Sequence, residues 1–138
     1  MIAVTDRSRW ALLALTELAR RGNDAPVPIL EVAERRNIPV HLLEQLFSTL
    51  RRAGVLQSQR GVKGGYHLRR DARELTVLEV VEAVDGPIAP VPGPDAGTGQ
   101  DAIWAEAAMR LSGALAAVTV ADAVEREARL QAAPMFHI

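Results

Sequence analysis

The chain has 138 residues, with 16 Lys and Arg against 17 Asp and Glu, and no cysteine. That length suits one compact unit or one small domain with an appendage. The near-zero charge excludes a uniformly basic nucleic-acid coat, and the missing thiols exclude disulfides, thiolate metal sites and cysteine nucleophiles.

A first helix is expected from Thr5, a good N-cap, with Ala11, Leu15 and Leu18 at helical spacing and Arg20-Arg21-Gly22 as the stop. NDAP reads as a loop. A short second helix follows, with Pro28 in its first turn and Ile29, Val32 and Ala33 inward, and RRNIP ends it. The third helix runs from about Val40 to Ala53. Leu43, Leu46, Phe47 and Leu50 form one apolar stripe, and His41, Glu44, Gln45, Ser48, Thr49, Arg51 and Arg52 fall on the other faces.

The period then becomes alternating: VLQSQR as one strand, GVKGG as the turn and YHLRR as the return. The hairpin so formed has a buried root and a charged tip. TVLEVVEAVDG is a helix opened by a Thr76/Glu79 capping box and closed by Gly86 and Pro87. The proline- and glycine-rich residues 87–100 read as a linker. A long helix over DAIWAEAAMRLSGALAAV places Trp104, Ala108, Leu111, Leu115 and Val118 on a 4-3-4-3 seam like that of a coiled coil, and a last helix opens at Thr119 with Asp122. The expected organisation is therefore mainly α with a small β-hairpin: a winged helix-turn-helix over 1–86, the linker over 87–100, dimerisation helices over 101–131 and a flexible tail over 132–138.

The mean charge conceals a division. From Arg35 to Arg73 lie eight arginines and Lys63, the only lysine, against Glu44 and Asp71; from Gly86 onward three arginines face six acids. A basic middle of this kind suits a polyanionic partner, although a solvated charged face would have the same composition. The order helix, short helix, turn, helix, hairpin adds geometry to the charge. Two helices joined by a tight turn make a helix-turn-helix, and the hairpin makes it winged, which sets the third helix in the major groove of double-stranded DNA. Glu44 can accept from a cytosine amino group and Gln45 can pair with adenine. Ser48 and Thr49 can reach bases or phosphates, His41 either, and Arg51 and Arg52 phosphates. On this reading the glycines Gly64 and Gly65 let the wing tip approach DNA closely, with Arg60 and Lys63 beside them to neutralise phosphates and Arg60 suited to a narrow minor groove.

LLEQLFSTLRRAGVLQSQRGVKGGYHL resembles the winged-helix bacterial regulators that include IscR, NsrR and CymR. The shared pattern is carried by Leu42-Leu43-Glu44-Gln45-Leu46, Leu50-Arg51-Arg52-Ala53-Gly54, and Arg60-Gly61 with Gly64-Gly65-Tyr66. The resemblance extends to TVLEVVEAVDGPI and the late tryptophan helix, and so covers nearly the whole chain. It implies a homodimeric transcription regulator, a repressor by expectation, whose long C-terminal helices pair while two wings grip a dyad-symmetric operator. It also implies base reading by Glu44, Gln45 and the position of His41, with Arg60 in the minor groove. Leu42 stands where the family usually has tyrosine. Many members hold an iron–sulfur cluster on three cysteines in the loop before the long helix. Here that loop has none, and Arg9 stands where some members place a ligating aspartate, so no cofactor is expected and the nearest branch is the cysteine-free CymR-like one.

His41, His67 and His137 lack metal-ligand spacing, and no set of side chains has catalytic spacing, so neither a metal site nor an enzyme is expected. No apolar run is long enough to span a bilayer, and MIAVTDRSRW has no apolar segment behind a basic head, so a cytoplasmic protein without membrane contact is expected. A regulatory partner protein or a small-molecule effector stays open, the latter in a cavity beside Trp104 between the long helix and the DNA-binding part, as do the rival readings of a winged-helix protein-interaction module and a small-molecule or redox sensor with a cofactor.

Overall fold

In the computed structural model, which describes residues 4–132, six helices surround a two-stranded hairpin. The order is α1 (Asp6–Arg21), α2 (Ile29–Arg36), α3 (Val40–Arg52), β1 (Leu56–Gln59), β2 (Gly65–Leu68), α4 (Val77–Asp85), α5 (Asp101–Ala116) and α6 (Val120–Ala132). The mainly helical winged architecture expected from sequence is the one observed. The tail beyond Ala132, including His137, lies outside the described residues.

Local chemistry sets most boundaries. The Thr5 hydroxyl caps α1, and Gly22 at φ 76° ends it. Pro28 is the N-cap of α2 rather than its first helical residue, and Asn37 ends that helix in the left-handed conformation at φ 54°, where asparagine is tolerated. Reciprocal hydrogen bonds join Thr76 and Glu79 at the start of α4. Thr119 and Asp122 repeat the arrangement at the start of α6. Replacing Thr76 with alanine removes one half of the α4 box. The expected loss is about 1 kcal/mol of stability, read as a lowered urea midpoint at unchanged slope.

One core joins these elements. Leu15 and Leu18 of α1, Val32 of α2, Leu43, Phe47 and Leu50 of α3, Leu56 and Leu68 of the hairpin, Val80 of α4 and Val120 of α6 are all buried in it. The C-terminal helices do not stand apart from the winged portion, because α6 packs along α1. Val77 and Val120 donate backbone hydrogen bonds to Val118 and Leu75 at 2.8 Å, around a bridge between Thr76 and Thr119.

A buried carboxylate ties three helices together. Glu17 of α1 is 1% exposed. It accepts from Arg20 at 2.6 Å, Arg21 at 2.8 Å and Arg36 of α2 at 3.0 Å. Arg36 in turn makes a two-toothed pair with Glu127 of α6 at 2.6 and 2.8 Å. At the other end of α1, Asp85 accepts from the Ser8 hydroxyl at 2.6 Å and from the Thr5 hydroxyl, closing the end of α4 onto the start of α1. Burial pushes the Asp85 carboxyl up, but these hydrogen bonds prevail and hold it below its ordinary range.

Candidate nucleic-acid interface

The apolar stripe of α3 faces the core, with Leu43, Leu46, Phe47 and Leu50 all buried. The opposite face is left to solvent. His41, Glu44, Gln45, Ser48, Thr49 and Arg52 line one shallow, open groove of about 430 Å³ along it. Six of the seven α3 residues singled out from sequence therefore share a surface. The seventh, Arg51, turns toward the hairpin and donates to the Ser58 hydroxyl of β1 at 3.3 Å. It joins helix to wing, a role visible only once the docking of the hairpin is known.

The wing is antiparallel, with Leu56 opposite Leu68 and Ser58 opposite Tyr66. Tyr66 stands edge-on to Phe47 of α3, ring centres 4.8 Å apart, which sets the hairpin's angle to the helix. Arg60 and Lys63 are exposed at the tip. Among the described residues, no carboxylate pairs with Arg52, Arg60 or Lys63. Arg36, Arg70 and Arg73, equally basic in sequence, are neutralised by Glu127, Glu79 and Asp71. Asp71, held to Arg73, has its pKa lowered to about 2. The free positive charge is thus narrower than the basic middle of the sequence and lies along α3, at the tip and at Arg69 just beyond β2.

The two wing glycines also have an explanation within the protein itself. A Cβ on Gly65 would lie 2.4 Å from the backbone carbonyl of Val27, and one on Gly64 would lie 2.2 Å from the carbonyl oxygen of Gln59. Tyr66 and Val27 exchange two backbone hydrogen bonds of 2.9 Å there, so the strand abuts the residue leading into α2. The protein's own backbone already requires glycine at both positions. A residue that the sequence reading passed over is Val62, fully exposed at the tip between Arg60 and Lys63; an apolar side chain inside a basic turn was the available signal.

The seam proposed on α5 also needs amending. Ala108 is 3% exposed, buried within its own chain where α5 packs on α4, and so is not available to a second copy. Leu111, Leu115 and Val118 are half-buried, and Trp104 is 51% exposed. Ile103 and Met109 are the large apolar side chains that α5 leaves most open. The reason lies in composition: α5 is apolar nearly all round, so spacing alone could not tell its inner face from its outer one.

A helix-turn-helix with an exposed polar recognition face and a docked wing defines a winged-helix DNA-binding protein. The chain belongs to the Rrf2 family, described as an iron-dependent transcriptional regulator, whose model matches residues 4–126. It is 34% identical over 137 residues to the HTH-type transcriptional regulator IscR of Photorhabdus laumondii, covering 94% of this chain and 84% of that one. The IscR of Serratia proteamaculans is 35% identical over 131 residues, 90% and 80% of the two chains. Among solved structures, CymR, the global cysteine regulator of B. subtilis, superposes with a TM-score of 0.81 at 29% identity, over 91% of this chain and 98% of that one. The IscR of T. potens gives 0.81 at 26% identity, over 96% and 93%. The protein is a DNA-binding transcriptional regulator, and its family is one of regulators rather than enzymes.

The family description raises the matter of iron. The loop before α5, residues 87–100, carries no sulfur or imidazole, having no Cys, Met or His. Its one carboxylate, Asp95, accepts from the Trp104 indole at 2.8 Å, and Asp101 at the start of α5 accepts from the Gly97 amide at 3.0 Å, so two hard oxygen groups stand where a cluster would need sulfur ligands. On α1, Arg9 brings a cation, set 3.8 Å from Asp6. Among the described residues, no three His, Cys, Asp or Glu side chains are grouped to hold a metal ion. These residues do not fit an iron–sulfur cluster. No helix among them is long and apolar enough to cross a membrane.

Proposed function

We propose that the protein is a cytoplasmic repressor that binds a dyad-symmetric operator as a homodimer, without an iron–sulfur cluster. The observation that carries this reading is the open groove of six polar side chains along α3, in a chain whose wing tip holds Arg60 and Lys63 exposed and, among the described residues, without a carboxylate partner. In a complex, α3 enters the major groove, where Glu44 and Gln45 meet base edges and His41, Ser48 and Thr49 meet bases or phosphates. Arg52 neutralises a phosphate beside them. Arg51, through its bond to Ser58, presents a second cation at the root of the wing. Arg60 enters the minor groove and Lys63 holds its rim. Gly64 and Gly65 hold the wing in shape and, having no side chains, let its tip come close to the DNA backbone. Two copies pair through the outer side of α5, which Ile103 and Met109 flank as exposed apolar side chains.

Gel shifts with operator and random DNA at two salt concentrations test the assignment. Gln45→Ala is expected to weaken operator binding by about 1–3 kcal/mol and leave random DNA almost unchanged. Arg52→Ala is expected to weaken both alike and to reduce the salt slope by about one. Equal losses on both DNAs for Gln45→Ala would remove that residue from the base-reading set.

A further inference from the structure

Residues 74–109 contain seven acidic residues and not one lysine or arginine. Within that span the loop ahead of α5 folds back on the helix through short turns, in which Ala96 and Thr98 donate backbone hydrogen bonds to Gly93 and Asp95. Between loop and helix lies a cleft of about 310 Å³ walled by Pro90, Val91, Pro92, Trp104 and Ala105, with Asp95 and Asp101 at its edge. The cleft is thus apolar, faced by one half-exposed indole and bordered by two carboxylates, with no cation lining it. The positive end of the α5 dipole, which would oppose a cation here, is offset by Asp101 in the first turn.

We infer that this cleft binds a hydrophobic organic cation, an ammonium-type group carried on an apolar body. An indole face attracts such a cation through its quadrupole, the proline and valine walls suit its carbon skeleton, and the carboxylates supply the counter-charge. Each carboxylate commits one oxygen to the chain itself, Asp95 to the Trp104 N–H and Asp101 to the Gly97 N–H, and keeps its negative charge at the cleft's edge. A bare metal ion would waste the apolar walls, and an anion would meet only repulsion. The inference goes beyond DNA binding and does not depend on it, because the cleft lies in the acidic part of the chain.

The probe is benzyltrimethylammonium chloride, compared with its uncharged isostere neopentylbenzene and with sodium chloride at matched ionic strength. The readout is Trp104 fluorescence in the full chain carrying Trp10→Phe, and calorimetry on the unmodified protein and on every variant, Trp104→Leu included. The cation is expected to bind saturably, about tenfold more tightly than the isostere. Trp104→Leu should abolish binding. Asp95→Asn with Asp101→Asn should weaken it about tenfold while leaving the indole its hydrogen-bond acceptor, so that a loss cannot be ascribed to an unfolded loop. Equal binding of cation and isostere, binding that survives Trp104→Leu, or no saturable signal for the cation would each overturn the inference. The gel shifts are read separately, so a failure here is distinguishable from a failure of operator binding.

Discussion

Glu17→Ala is expected to destabilise the protein by about 3 kcal/mol at neutral pH, more than any other single truncation of a charged side chain in this structure. Removing one member of a buried ionic cluster costs about 3–5 kcal/mol because the partners are left uncompensated. The lower end applies, since Arg20 and Arg21 can turn to water and Arg36 keeps its pair with Glu127. Glu17→Gln, which keeps the volume and part of the hydrogen bonding, should cost less. The pH dependence checks the mechanism. Burial pushes the Glu17 carboxyl up, but hydrogen bonds from Arg20 and Arg21 and the charges of Arg20 and Arg36 outweigh it, and its pKa lies below the ordinary 4.5. Glu127 is lowered likewise, chiefly by Arg36. A folded-state value below the unfolded one makes a contribution that is full above the unfolded value and is lost as pH falls through the folded one. Wild-type stability should therefore fall as pH drops below about 4.5, and the fall should be shallower in Glu17→Ala. Urea unfolding at pH 7 and pH 4 measures both. A loss under 1 kcal/mol at pH 7, or an unchanged acid limb, would show that the cluster adds little.

This network also marks a limit of sequence reading. The helices announce themselves through caps and stops: Thr5, Thr76 with Glu79, Gly22 and Gly86 act within a few residues of where they stand. The stripe on α3 has its meaning in one helix, so its complement, the groove from His41 to Arg52, was legible as a shared face. Glu17 and Glu127 are 110 positions apart, and nothing local to either marks it as part of a cluster; only the packing of α6 along α1 brings them to one arginine. Ala108 was misplaced for a related reason. An alanine-rich helix carries little asymmetry, and the side that packs is decided by α4, not by α5 alone. Arg51 shows the same dependence on packing, since only the docking of β1 against α3 brings Ser58 within its reach.

Gly65→Ala is expected to cost about 3 kcal/mol of stability and to abolish operator preference with it. The added methyl would sit 2.4 Å from the Val27 carbonyl carbon and oxygen and 2.7 Å from the Pro28 nitrogen. All three belong to backbone and cannot rotate away, so strand and loop must separate. Separation breaks the two Val27–Tyr66 hydrogen bonds and shifts Tyr66 from the edge of Phe47. The wing loses its fixed angle to α3, and cations at its tip no longer fall on the groove beside the one that α3 occupies. Lys63→Ala is the contrasting variant. Its side chain is exposed and packs against nothing in the core, so affinity for all DNA should fall while stability changes by less than about 0.5 kcal/mol. Urea unfolding and gel shifts on the same preparations separate the two cases. If Gly65→Ala kept wild-type stability and lost only DNA binding, the glycine would act at the nucleic acid, and the close approach that demands it would be to a phosphate rather than to Val27.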